Sequence, residues 1–324
     1  MVNTIIRENR TLISEAVSKL KLGNLVAFPT ETVYGLGADA LNGSAVARIY
    51  NVKARPTKHP LIIHISSITL LNKWAKEIPE YGLQLARAFW PGPMTLILPR
   101  TSLAKDFITG GQDNVGIRIP AHTLALELLG QFEDKGGLGV AAPSANRFGA
   151  VSPTTAGAVR IELGGYLDSR DLILDGGPSL VGVESTIIDC TKSVPNILRP
   201  GAINEEMIRD ILGSTFVISS FNPKSMEVMA PGMLESHYSP RAKVLLNGLP
   251  LPGDGLIAIE SFKTPEGVVR LASPKNNEDY ARLLYEALRL ADIKKLKRVF
   301  AIPPIGGGIA IAINDRLTKS AYEK

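Results

Sequence analysis

"GNLVAFPTETVYGLGADA", residues 23–40, opens with Leu25–Phe28, an apolar run of strand length closed by Pro29. It reads as a buried strand. Ahead of it Leu12, Ile13, Ala16, Val17 and Leu20 recur at helical spacing, and Gly23 can end that helix. A helix followed by a buried strand begins an α/β layer. What comes after the strand is polar: Thr30, Glu31, Thr32 and Tyr34, then Gly35 and Gly37. Open α/β sheets bind ligands beyond their strand ends. Hydroxyls, a carboxylate and a phenol at this mouth, beside a turn free of side chains, therefore mark a candidate site.

The alternation continues outward. "PLIIHI" (60–65), "MTLILP" (94–99), "VGIRIP" (115–120), "LGVAAPSA" (138–145), "LILD" (172–175) and "STIIDC" (185–190) read as strands. Helical stretches lie near 79–90, 122–130 and 153–163, and Ser44 is a suitable N-cap for a helix through Ala45–Tyr50. This predicts an α/β fold with a mostly open sheet. After "NILRPGAI" and a helix at 204–212, residues 213–241 show no period and read as a linker or lid. From Ala242 the alternation resumes: "KVLL", "GLIAIE", "GVVRL", a helix over 277–291, "RVFAIPP" and a closing helix near 313–323. "PIGGGIAIA" (304–312) reads as a turn between strand and helix. The expected units are 1–212, the linker or lid 213–241, and a smaller α/β domain 242–324.

A chain of 324 residues with 45% hydrophobic content can bury two such cores. No segment approaches the run of about 18 apolar residues that spans a membrane, and "MVNTIIRENR" lacks the order of a secretory signal. A cytoplasmic protein is expected. Cys190, the single cysteine, excludes an internal disulfide and a cysteine-based zinc site, and its apolar neighbours predict a core thiol. The net charge of +5 favours anionic partners. The densest basic cluster, Lys294, Lys295, Lys297 and Arg298, reads equally well as a solvated helix end. There is no GxxxxGK[ST], no GxGxxG after the first strand, no HExxH and no GxSxG, which leaves phosphate loops, dinucleotide folds, zincins and serine hydrolases unsupported.

Five further stretches share the character of 30–37. "NVKARPTKHPLIIHI" gathers Lys53, Arg55, Lys58 and His59 and buries His64 in a strand. "NVGIRIP" threads Arg118 between apolar residues, and "AAPSANRFGAVSPT" sets Ser144, Asn146 and Ser152 among small ones. "VGVESTIID" and "ILRPG" add Ser185, Thr186 and Arg199. Each has a structural reading: an ion pair for Arg118 with a nearby carboxylate, a hydrogen-bonded core histidine for His64, a solvated helix end for Lys53, Arg55 and Lys58. Their shared position at strand ends favours a site that binds anions with cations and hydroxyls.

In order, "FPTETVYGLGADA", "KARPTKHPLIIHI", "WPGPMTLIL", "VGIRIP", "PSANRFGAVSPT", "VESTIID" and "ILRPGAI" resemble the signature blocks of the YrdC-like threonylcarbamoyl-adenylate synthases, over residues 10–210. "APGMLESHYSPRAKV" and "IAIAINDRLTKSA" resemble the linker and C-terminal domain of that family's long form. The resemblance implies a twisted sheet around a basic cavity, with a smaller Rossmann-like C-terminal domain. It implies that L-threonine, bicarbonate and ATP are joined into threonylcarbamoyl-adenylate with release of pyrophosphate. Magnesium would travel on the ATP phosphates, with no metal held by the protein itself. A separate transferase complex would then modify an adenosine beside the tRNA anticodon, and a weak tRNA contact is conceivable.

Carried over by block, Lys53 and Arg55 become the catalytic candidates that hold the triphosphate. Thr32, His64, Arg118, Ala142 and Ser185 would bind threonine. His59, Asn114, Ser144, Ser152, Arg199, His237 and Tyr238 would bind ATP, the last two reaching back from the linker. Two other readings stand beside this one: a basic groove for double-stranded RNA, and carbamoyl transfer from carbamoyl phosphate.

Overall fold

The computed structural model describes residues 2–214, 216–219, 230–232 and 238–322, with side chains from residue 11 onward. Nine strands precede the linker: β1 (Val26–Phe28), β2 (Gly35–Asp39), β3 (Ile62–His64), β4 (Met94–Pro99), β5 (Asn114–Arg118), β6 (Val140–Ala141), β7 (Leu172–Ile173), β8 (Thr186–Asp189) and β9 (Asn196–Arg199). They form one mixed sheet in the order β7-β1-β2-β6-β3-β5-β4-β8-β9. Four more, β10 (Lys243–Leu245), β11 (Gly255–Ile257), β12 (Val269–Ala272) and β13 (Arg298–Ala301), make a separate sheet ordered β10-β13-β11-β12. All its pairings are parallel, and the helix Asn277–Ile293 connects β12 to β13.

Side chains alternate across the large sheet, and the alternation sorts its two faces. Ala27, Leu36, Ala38, Ile63, Ile117 and Ala141 join the main core with the helices Gly43–Lys53, Glu80–Phe89 and Ala156–Leu163. Their neighbours Val26, Phe28, Val140 and Ala142 face the other way, onto Ile13, Val17 and Leu20 of the helix Val2–Lys21 and Leu128, Leu129 and Phe132 of the helix Thr123–Asp134. Burying each of the three large aliphatic side chains on the first helix contributes about 1.5–3 kcal/mol. Further along that second face His64 on β3 and Arg118 on β5, paired in register, line a cavity.

Three sequence expectations change. Residues 35–39 are a strand rather than a side-chain-free turn. A Cβ on Gly37 would meet Val140 at 2.7 Å and the Phe28 ring at 2.8 Å, so that glycine serves packing within the sheet. The second helix starts at Gly43, and its N-cap is Asn42, whose side chain accepts from the Ala45 amide; Ser44 already lies inside the helix. The closing helix begins at Ile309, so "IAIA" is its first turn.

The helix Asn277–Ile293 joins the two units. Leu284 and Leu288 share a core with Val33, Val151 and Val183 from the first unit. Gly182, at φ +84°, lies so near that helix that a Cβ there would sit 2.4 Å from the Ala281 carbonyl oxygen. Cys190 is buried, and burial pushes its thiol well above the usual range, as a core thiol requires. Among the described residues no helix is long and apolar enough to cross a membrane.

Candidate active site

Pro29 ends β1, and the next residues form a turn built on Thr30. Its hydroxyl donates to the Val33 carbonyl at 2.6 Å and accepts from the amides of Thr32 and Val33. With that proton committed, the 2.8 Å contact to the Thr32 hydroxyl runs from Thr32 to Thr30. Thr32 in turn accepts from Arg118 Nη1 at 2.9 Å. Toward the cavity Thr32 therefore has a lone pair and no proton. A ligand group beside it must be a donor, such as an ammonium or a hydroxyl.

Arg118 is both of the things its sequence context left open. Its Nη2 pairs with Glu31 at 2.6 Å, an ion pair buried on both sides, and its Nε donates to the Gly92 carbonyl. Of five guanidinium hydrogens three are thus placed, which leaves one on each Nη. Glu31 is held in turn by the Ala121 amide. Beside Arg118 lies His64. Burial, and then the Arg118 charge, bring its imidazole down to about 3, so it is neutral at physiological pH. Its Nδ1 is buried without a partner, as is Oδ1 of Asn146 across the cavity. Buried polar atoms are nearly always paired, so both point to a ligand.

The opposite wall is cationic. Lys53 ends its helix, and Ala54, in the left-handed conformation at φ 49°, turns the chain so that Arg55 enters the same space. Lys53 Nζ donates to the carbonyls of Ser144 and Asn146, tying two sequence blocks together and keeping one donor in hand. Burial holds its amine well below the ordinary range, with Arg55 adding to the effect. Arg55 donates to the carbonyls of His59 and Pro60 and stays charged, at about 10. Arg199 spans Ser185 and the linker, donating to the Ser185 carbonyl and hydroxyl and to the Pro231 carbonyl. Among the described residues three guanidinium groups, Arg55, Arg118 and Arg199, and the Lys53 amine line the cavity against one carboxylate, Glu184.

The structure brings Thr32, His64, Arg118, Ala142, Ser144, Ser185, Arg199, Lys53, Arg55 and Tyr238 to one cavity. Three expected residues stand off from it. The His59 ring packs edge-on against Phe148, which is part of the wall. Ser152 is wholly buried behind Glu184, to which it donates at 2.6 Å. Asn114 borders a small neighbouring cavity that shares Ile62 and Pro231 with the main one. His237 lies outside the described residues. Sequence reading passed over Glu184 and gave Asn146 no role. Glu184 carried the same signal as Arg118, a charge inside an apolar run beside a hydroxyl.

Burial works against a charge on Glu184. Arg316, Arg199 and the Ser152 hydroxyl outweigh it and bring the carboxyl down to about 2 from an ordinary 4.5. A depressed carboxyl stabilises the fold above its unfolded value, and that contribution is lost as pH falls from about 4.5 through about 2. The difference is roughly 3 kcal/mol at about 1.4 kcal/mol per unit. Thermal melts followed from pH 4.5 to 2.5 should therefore show a shallower fall for Glu184→Gln than for the parent chain. Parallel slopes would mean that the charge contributes nothing.

Comparison with known proteins follows the same division. A family model described as "Telomere recombination", covering Sua5, YciO and YrdC, matches residues 18–201. A model described as "Threonylcarbamoyl-AMP synthase, C-terminal domain" matches 203–322. The threonylcarbamoyl-AMP synthase of Pyrococcus abyssi is 40% identical, over 98% of each chain. That of Bacillus subtilis is 37% identical over 97% of this chain and 94% of its own. The crystal structure of Pyrococcus abyssi Sua5 complexed with L-threonine superposes with a TM-score of 0.84 at 39% identity, covering 95% of this chain and 94% of that one. The chain belongs to the Sua5/YciO/YrdC family, in its long form with the threonylcarbamoyl-AMP synthase C-terminal domain.

Proposed function

We propose that this chain is a nucleotidyltransferase that joins L-threonine, bicarbonate and ATP into L-threonylcarbamoyl-AMP with release of pyrophosphate, for threonylcarbamoyladenosine modification of tRNA. Relatives similar over nearly their whole length carry that activity in their names, and one was crystallised with L-threonine. The observation that carries the reading is the polarity of the cavity. One end offers two spare donors on Arg118, an acceptor on Thr32 and a neutral His64; the other offers Lys53, Arg55 and Arg199. The first set suits an amino acid's carboxylate and ammonium, the second a triphosphate.

In this reading the threonine carboxylate takes the spare Arg118 hydrogens, its amine or hydroxyl donates to Thr32, and Ala142 and Ser185 close the pocket. The neutral amine adds to carbon dioxide derived from bicarbonate and loses a proton, giving a carbamate. A carbamate oxygen then attacks the α-phosphorus of ATP, and the bond to pyrophosphate breaks. Lys53, Arg55 and Arg199 stabilise charge on the phosphates, with Ser144, Ser152, His59, Asn114, His237 and Tyr238 around the rest of the nucleotide. The residues act by positioning and electrostatics. Glu184 has both oxygens occupied, and among the described residues no cluster of histidines, cysteines and carboxylates suits a metal. Magnesium would ride on the ATP phosphates and neutralise them there.

Residues 1–212 would carry the chemistry, with 213–241 as linker and lid and 242–324 as the C-terminal domain. Pro231, Gly232 and Tyr238 on the cavity wall support that division. The product is consumed by a threonylcarbamoyl transferase in the cytoplasm, with at most a weak contact to tRNA. Pyrophosphate release is the direct test. It should require threonine, bicarbonate and ATP together, and release that ignores threonine would refute the reading.

A further inference from the structure

Glu184 is an odd residue for an anion-binding cavity, and its partners come from both units. Oε1 accepts from Ser152 Oγ; Oε2 accepts from Tyr285 Oη at 2.8 Å and from Arg316 Nε at 2.9 Å. Tyr285 belongs to the helix Asn277–Ile293 and Arg316 to the helix Ile309–Ala321. The Arg316 side chain is wholly buried. Its Nη1 pairs with Asp315 at 2.6 Å, and its guanidinium lies 5.3 Å from the centre of the Tyr238 ring. One turn on, Lys319 Nζ donates to the Gly232 carbonyl at 2.8 Å. A single C-terminal helix thus reaches two parts of the catalytic wall, the carboxylate at the foot of β8 and the linker segment that covers it.

A buried ion pair is weak as a source of stability, because desolvation offsets most of the attraction. Its effect on charge inside the cavity is large. An ionised Glu184 that kept Ser152 and Tyr285 but lost the Arg316 charge would present a negative charge in low-dielectric surroundings where phosphates must sit, next to Arg199, and would compete for that cation. We propose that Arg316 is a positioning residue for the nucleotide half of the site: it aims Glu184 away from the cavity's cations and cancels its charge, so that an incoming triphosphate meets cations alone. The C-terminal domain in this account completes the electrostatics of the active site. Its contribution reaches the nucleotide end and leaves the threonine end, Thr32, His64 and Arg118, untouched.

The inference rests on placing ATP against Lys53, Arg55 and Arg199, and the test separates the two. Steady-state pyrophosphate release and calorimetric threonine titration are measured for the parent, Arg316→Met, Glu184→Gln and the double variant. Arg316→Met should raise the KM for ATP by about tenfold or more while threonine affinity stays within about twofold. In the double variant, where the stranded charge is gone, the KM should return most of the way to the parent value. A purely structural role would make the double variant no better than Arg316→Met, and that outcome overturns the proposal, as does an unchanged ATP KM in folded Arg316→Met. Should Arg316→Met not fold, Tyr285→Phe and Arg316→Lys, each with and without Glu184→Gln, run the same cycle with smaller expected effects. An ATP KM that is unchanged in both Lys53→Ala and Arg55→Ala would instead refute the nucleotide assignment.

Discussion

Arg118→Lys is expected to lose at least about tenfold in L-threonine affinity and to keep ATP affinity within about twofold, since a charge-assisted hydrogen bond contributes about 1.5–3 kcal/mol. The charge survives the change, so a simple ion-pair role would be nearly preserved. The donor count does not survive. Arg118 already serves Glu31, Thr32 and the Gly92 carbonyl and still holds two hydrogens. A lysine has three donors in all, which the standing partners consume. It also cannot present two parallel donors to a carboxylate. Both donors that face the cavity would be gone, so the effect should exceed that of one missing contact. Equal threonine binding by the two proteins in a calorimetric titration would refute the assignment.

The second large effect is expected at Lys53. Lys53→Ala should cut turnover by about a hundredfold or more, from the loss of a buried charged donor worth roughly 2–3 kcal/mol together with its tie to the opposite wall. ATP and pyrophosphate should bind more weakly while AMP binds nearly as before. The buried amine sits below its usual value, whereas an arriving phosphate favours the charged form. ATP binding should therefore take up a proton and tighten as pH falls through the range where the free amine titrates. Calorimetry in buffers of different ionisation enthalpy reads that proton directly. A parallel loss of AMP affinity would point to support of Ser144 and Asn146 as the residue's real task.

Much of this was legible in the chain, for reasons that differ by element. Met94–Pro99 reads as a strand because four large apolar residues, Met94, Leu96, Ile97 and Leu98, fall within a short run bounded by Pro93 and Arg100 and leave few alternatives. The strand Gly35–Asp39 does not, because two glycines in five residues imitate a turn; only the positions of Phe28 and Val140 explain why side chains had to be absent. The cations of the site stood out because charges inside apolar runs are costly. Whether Arg118 was structural or functional could not be decided from one sequence, since the guanidinium that pairs with Glu31 also lines the cavity. Glu184 went unassigned because its partners, Tyr285 and Arg316, lie more than a hundred residues away on the other unit. Sequence blocks carry local chemistry well and say little about which distant helix will neutralise it.

The central claim is that one cavity makes a carbamate of threonine and adenylates it. Mass spectrometry of the reaction with carbon-13-labelled bicarbonate, L-threonine and ATP tests it most directly. The account predicts a threonylcarbamoyl-AMP ion carrying the label, formed in step with pyrophosphate and about a hundredfold more slowly when Lys53 is alanine. Pyrophosphate with no labelled adduct, or an adduct that forms equally without the protein, would contradict it.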